Sequence, residues 1–211
     1  MIRPGVLILL TTLGCAGPSV QEGSLFDGRS LEGWEGDTEK TWRVREGAIV
    51  GGSLQGNPRN EFLTTKRSYA DFVLRFEYKL VGTEGFVNGG VQVRSRRIPK
   101  PPNEMSGYQA DIGAGMSGSL YDESRRNRLL AKADPDLVMK LEKPGDWNRY
   151  EVRCEGPRIR LTLNGTQTVD FTETQAEIER DGLIGLQIHG NCKAEISFRN
   201  IVVEALILER K

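Results

Sequence analysis

The stretch DFVLRFEYKL (residues 71–80) puts Phe72, Leu74, Phe76, Tyr78 and Leu80 on one parity and Val73, Arg75, Glu77 and Lys79 on the other. A period of two held this long is the pattern of an antiparallel strand with one face on a core and one toward water. The alternation recurs in TWRVREGAIVGG (41–52), GGVQVRSR (89–96), GYQADIG (107–113) and RYEVRCEG (149–156). It recurs again in RIRLTLNG (158–165), LIGLQIHG (183–190) and AEISFRNIVVEAL (194–206). Glu46-Gly47 and Asn164-Gly165 break it where hairpin turns belong. Many short strands separated by turn signals predict an all-β sandwich or barrel rather than βαβ units.

Three segments leave this rhythm. Residues 97–106 contain Pro99, Pro101 and Pro102 and are expected to be an irregular loop. SRRNRLLAKADPDLVMKLEKPGD (124–146) reads as a long insertion with a helical turn, and long loops in compact domains are usually functional or disordered. Residues 172–181 suit a short surface helix.

The 211 residues carry 29 Lys/Arg against 29 Asp/Glu, so no basic field favours nucleic acid. The opening MIRPGVLILLTTLGC (1–15) has a basic start, an apolar stretch and small residues before Cys15. It reads as a bacterial lipoprotein signal over residues 1–14, with Cys15 lipidated and residues 15–24 a tether. The domain then spans residues 25–206, with a 207–211 tail. This predicts a cell-envelope protein, periplasmic or on the outer membrane, held to the membrane through its lipid. Cys154 and Cys192 are too few and too far apart for a zinc cluster. A disulfide between them and two buried thiols both remain open. The single His excludes a multi-histidine metal site. No cofactor is expected, although a divalent metal held by oxygen ligands stays open. G-x-S-x-G, H-E-x-x-H, P-loop and dinucleotide-binding patterns are all missing from the sequence.

The non-core parities carry the functional reading. Opposite Val91 and Val93 lie Gln92, Arg94 and Arg96. Opposite Ala110 and Ile112 lie Gln109 and Asp111, with Tyr108 on the apolar parity. Opposite Leu186 and Ile188 lie Gln187 and His189, and Tyr121 and Glu123 share a parity with Ser119. Solvated strand faces are usually rich in Lys, Glu and Thr, so these residues predict a shared polar groove flanked by glycines. Between Val91 and Lys132 basic residues outnumber acidic ones eight to four, which predicts a positive groove. Trp34, Trp42 and Trp147 suit either sugar stacking or core packing.

An ordered set of segments resembles the 3-keto-disaccharide hydrolase domain family. It comprises LFDGRSLEGWEG (25–36), WRVREGAIVGG (42–52), FLTTKRSYADFVLRFEYKL (62–80), NGGVQVRSR (88–96) and GYQADIG (107–113). GSLYDE (118–123), GDWNRYEVRCEGPRIRLTLNGTQTVDF (145–171) and GLIGLQIHG (182–190) complete it. The chain differs from the family's usual pattern at Asn88-Gly89-Gly90 and at His189-Gly190-Asn191-Cys192. The resemblance implies a concanavalin A-like jelly roll, an antiparallel two-sheet sandwich with a ligand face. It also implies cleavage of a glycoside whose C3 hydroxyl has been oxidised to a ketone, by elimination followed by hydration. Such a reaction needs a base at C2–H, a donor to the enolate oxygen and an acid for the leaving group. The candidates are His189 as base, Arg94 or Arg96 at the enolate, and Asp111 or Glu123 as acid or as the group orienting His189. Gln92, Arg96, Tyr108, Gln109, Tyr121 and Gln187 are the candidate substrate contacts. A direct hydrolysis would instead pair Asp111 with Glu123. A lectin-like binding module and a structural envelope protein are the rival readings.

Overall fold

A computed structural model describes residues 21–206. The expected signal, Cys15, the first part of the tether and the 207–211 tail lie outside the described residues. Two antiparallel sheets face each other. The first runs β13 (Thr166–Thr172), β12 (Arg158–Leu163), β11 (Asn148–Glu155), β6 (Phe72–Gly85), β15 (Cys192–Ala205), β4 (Ala48–Asn57), β3 (Trp42–Arg45), and β1 (Gln21–Ser24) also pairs with β15. The second runs β10 (Arg128–Ala131), β9 (Leu120–Glu123), β8 (Met105–Gly113), β7 (Asn88–Arg97), β14 (Leu183–Ile188), β5 (Glu61–Thr65) and β2 (Trp34–Glu35). The antiparallel jelly-roll-type sandwich expected from the sequence is therefore present. The tether is shorter than expected, because Gln21–Ser24 already pairs with Val202–Ala205.

The alternation of residues 71–80 holds on its core parity, while Val73 of the other parity is also buried. Phe72, Leu74, Phe76 and Tyr78 are buried between the sheets, against Val91, Val93, Ala110, Ile112 and Leu186 from the other layer. Burying each such large side chain contributes about 1.5–3 kcal/mol. Both predicted hairpin turns have positive φ at each central residue, Glu46 and Gly47 at 52° and 72°, Asn164 and Gly165 at 49° and 86°. That matches the right-handed twist of the strands they join. The helical turn of the 124–146 insertion is α1 (Pro135–Leu141), capped by Asp134, whose carboxylate accepts from the Asp136 amide. Residues 173–181 form no helix. Glu173 there is drawn to Tyr108 and Arg126, and Glu179 and Asp181 to Arg96. The thiols of Cys154 and Cys192 are both free and buried, which settles the disulfide question in favour of separate thiols.

The two outer faces differ in chemistry, and this locates the site. The first sheet's outer face is laced with ion pairs, among them Arg75 with Glu151 and Glu204, Arg199 with Glu77, and Arg158 with Asp170. Trp147 lies over there too, beneath the Arg199 guanidinium at 3.9 Å. Trp34 and Trp42 are core residues. The second sheet's outer face instead presents amides, carboxylates and glycines.

Candidate functional site

Four strands of the second sheet, β7, β8, β9 and β14, together with His189 just after β14, supply the floor. In register, Gly90 of β7 sits opposite Asp111 of β8 on one side and Gln187 of β14 on the other, while Gln109 lies between Gln92 and Tyr121. Glycine is required at 90: a Cβ there would meet Cγ of Gln109 at 2.8 Å. The Gln109 side chain therefore lies across the strand toward Asp111. A cleft of about 210 Å³ opens here, lined by Phe86, Asn88, Gln109, Asp111, Met116, Tyr121, Glu123 and His189. That is below the roughly 300–1,000 Å³ of drug-sized sites and suits one sugar ring.

A directed hydrogen-bond relay orients Asp111. Ser95 Oγ donates to Gln92 Oε1 (2.7 Å), Gln92 Nε2 to Gln109 Oε1 (2.8 Å) and Gln109 Nε2 to Asp111 Oδ1 (2.8 Å). All four side chains are buried, so each amide has one satisfactory orientation. Burial pushes the Asp111 carboxyl up to about 7, partly offset by the Gln109 amide and reinforced by the charge of Glu123. Glu123 is likewise raised to about 7, by burial and then by the nearby charge of Glu104. Both therefore titrate near neutral pH, where one group can take or give a proton. Gln187 donates to Glu123 (3.3 Å), and its own Oε1 is buried without a partner among the described residues.

His189 is fixed on two sides. Its ring makes an edge contact with Phe86, centroids 4.8 Å apart, and its Nδ1 lies 2.8 Å from the Gly190 carbonyl. A carbonyl oxygen only accepts, so Nδ1 carries the proton and Nε2 of the neutral ring is left as the basic atom. Among the described residues no three His, Cys, Asp or Glu side chains are grouped to hold a metal ion.

A family model described as the 3-keto-alpha-glucoside-1,2-lyase-like domain matches residues 21–204. The chain belongs to that family. No curated protein sequence matches it. Among solved structures, this member of the 3-keto-alpha-glucoside-1,2-lyase-like family is similar to two Parabacteroides distasonis proteins provisionally named glycosyl hydrolases. One is 25% identical with a TM-score of 0.64, covering 88% of this chain and 100% of that one. The other is 18% identical with a TM-score of 0.66, covering 94% and 99%. A Bacillus subtilis carbohydrate-binding module is 18% identical with a TM-score of 0.61, covering 80% and 93%, a likeness of fold.

Of the residues singled out from sequence, Gln109, Asp111, Tyr121, Glu123 and His189 line one cleft of this lyase-like domain, and Gln92 and Gln187 lie in its floor. Three do not join them. A register shift between Val93 and Arg96 puts Arg94 in the left-handed region (φ 50°). Its buried guanidinium then turns to the carbonyls of Ala70 and Gly156 and to Asp71, at 2.7–2.8 Å. Arg96 emerges exposed, paired with Glu179 and Asp181. Tyr108 points into the core edge, its hydroxyl donating to Glu173 (2.7 Å) with Arg125 over its ring. The expected positive groove is also reversed: Arg94 and Arg96 turn away into ion pairs, Arg97 donates to backbone carbonyls, two carboxyl groups, Asp111 and Glu123, line the cleft, and a third lies nearby. The third, Glu104, is buried in the β7–β8 loop close to Asn60, Ser124 and His189. None of residues 124–146 lines the cleft, and the middle of the insertion contacts β13 instead.

Sequence reasoning missed Asn88, Ser95, Phe86 and Glu104. Asn88 shares the parity of Gly90 and Gln92 and was findable by extending that alternation two positions. Ser95 was concealed by the bulge, and Glu104 by a proline-rich loop without any period.

Proposed function

We propose that this domain cleaves 3-keto-glucosides by β-elimination across C1 and C2 in the cleft of the second sheet. The observation that carries the reading is the meeting of a tautomer-fixed His189 with two carboxyls, Asp111 and Glu123, that titrate near neutral pH. His189 Nε2 takes the proton from C2, which the C3 ketone acidifies, and the electron pair becomes the C2–C3 enolate. Collapse of the enolate re-forms the ketone, makes the C1–C2 double bond and breaks the C1–O bond. A protonated Asp111 or Glu123 gives its proton to the departing oxygen. Addition of water at C1, with return of a proton to C2, then gives the free 3-keto sugar.

With Arg94 and Arg96 turned away, the enolate oxygen falls to neutral donors such as the Tyr121 hydroxyl or the Asn88 amide. Neutral donors fit a site already lined by two carboxyl groups. The family match supports the substrate class, and the small cleft supports a single bound ring. The leader read from the sequence places this chemistry in the cell envelope, anchored through Cys15. Cys15→Ala should then abolish labelling by a fatty-acid probe, and unchanged labelling would refute the anchor. The enzymatic test is release of aglycone from a 3-keto-glucoside and not from its unoxidised parent. Binding without release would make the domain a lectin-like module instead.

A further inference from the structure

Phe86, at the tip between β6 and β7, lines a second and larger cleft as well as the first. The two also share the turn after β8, Gly113 and Ala114 facing the larger cleft and Met116 the smaller. The larger one encloses about 440 Å³ and is walled by Leu80, Val81, Phe86, Val87, Ala114 and Pro144. Val81 and Phe86 are two of the four large hydrophobic side chains exposed among the described residues, at 40% and 45%. Their convergence on one cleft, beside the proposed catalytic groups, marks a contact surface rather than scattered exposure.

The polar groups behind that wall are occupied by one another. Tyr78 and Ser117 both donate to Glu142 Oε1, at 2.8 and 2.6 Å. Asn148 Oδ1 accepts from the Lys143 amide and from Asn164, both at 2.8 Å, and its Nδ2 donates to the Lys143 and Asp146 carbonyls, both at 2.9 Å. A sugar ring laid here would bury hydroxyls against Leu80, Val81 and Val87 with few partners, which is unfavourable. A flat apolar group meets no such penalty.

We infer that this second cleft is the leaving-group subsite and that it selects an aryl aglycone over a second sugar. The inference rests on the first cleft holding the 3-keto-glucosyl ring. It agrees with the chemistry, because a phenol, with a pKa of about 10, leaves as an anion far more readily than a sugar alcohol.

The test compares phenyl α-glucoside, methyl α-glucoside and trehalose as ligands, and their 3-keto derivatives as substrates, in the full chain and in Val81→Asp and Phe86→Ala. Val81 separates the question from catalysis, because Phe86 also packs on His189. The expected result is preference of the wild type for the phenyl compound in binding and in kcat/KM. The phenyl-to-methyl ratio should fall by about tenfold or more in Val81→Asp, the scale of a lost contact in an apolar pocket. Equal affinity for phenyl and methyl compounds, a preference for trehalose, or an unchanged ratio in Val81→Asp overturns the inference. Failure of the wild type to turn over any 3-keto-glucoside defeats the catalytic reading instead, and the binding ratio still decides what the cleft accepts.

Discussion

Replacing Asp111 by Asn keeps the side-chain shape and an acceptor for the Gln109 amide but removes the charge. In the folded protein Asp111 is 4% exposed and titrates at about 7, against 3.8 for a free aspartate. At about 1.4 kcal/mol per pH unit, ionising it in place costs ~4 kcal/mol relative to the unfolded chain. Below about pH 4 the carboxyl is protonated in both states, and Asp111→Asn should match the wild type. As pH rises from about 4 to about 7, the unfolded chain is ionised while the folded site stays protonated, so the wild type progressively loses stability that the variant keeps, and the loss levels off above about 7. At pH 8 the variant should be more stable by roughly 4 kcal/mol, or roughly 8–16 °C in Tm for a domain of this size. Part of the Asp111 shift is repulsion by Glu123, which titrates in the same window. Urea unfolding from pH 4 to 9 measures it. A stability difference that does not change with pH would refute the claim that Asp111 is held in a desolvated site, whatever its role in catalysis.

His189→Ala should lower turnover of a 3-keto-glucoside by about 10²–10⁴ while leaving the urea midpoint close to wild type, and turnover within a few-fold would remove His189 from the mechanism. Gln109→Met withdraws the amide that lowers the Asp111 pKa, so the carboxyl limb of the pH–rate profile should move upward and kcat/KM fall about tenfold; an unmoved limb would show that the relay does not act on Asp111. Arg94→Met breaks the ion pair with Asp71, which keeps only the Gly156 amide, and leaves two carbonyls without their donor, so it should destabilise the fold by about 3 kcal/mol. Turnover per folded molecule should be unchanged, and a selective loss of kcat would return Arg94 to the site.

Period-two patterns made the sandwich legible, because parity alone tells which side chains can face a core. They also grouped Gln109, Asp111, Tyr121, Glu123 and His189, since each strand's outward parity survives from sequence into sheet. Parity fails where the backbone is not regular. The bulge at Arg94 breaks the alternation after Val93, so Arg94 and Arg96, which parity puts in the groove, leave it, and Ser95 joins its hydrogen-bond relay. Charge counting failed for a related reason: a window of sequence does not say which faces its arginines reach, and Arg125 and Arg126 close on buried Asp122 instead of the cleft. The raised pKa values of Asp111 and Glu123 depend on burial by chain segments distant in sequence, and no local motif encodes that.

Abstraction of the proton at C2 by His189 is tested by a 3-keto-glucoside carrying deuterium at C2. Aglycone release should be slowed by the label, the sugar product should have lost deuterium to solvent, and His189→Ala should suppress both release and exchange. Release of aglycone with the deuterium fully retained, or equal cleavage of the unoxidised glucoside, would contradict it.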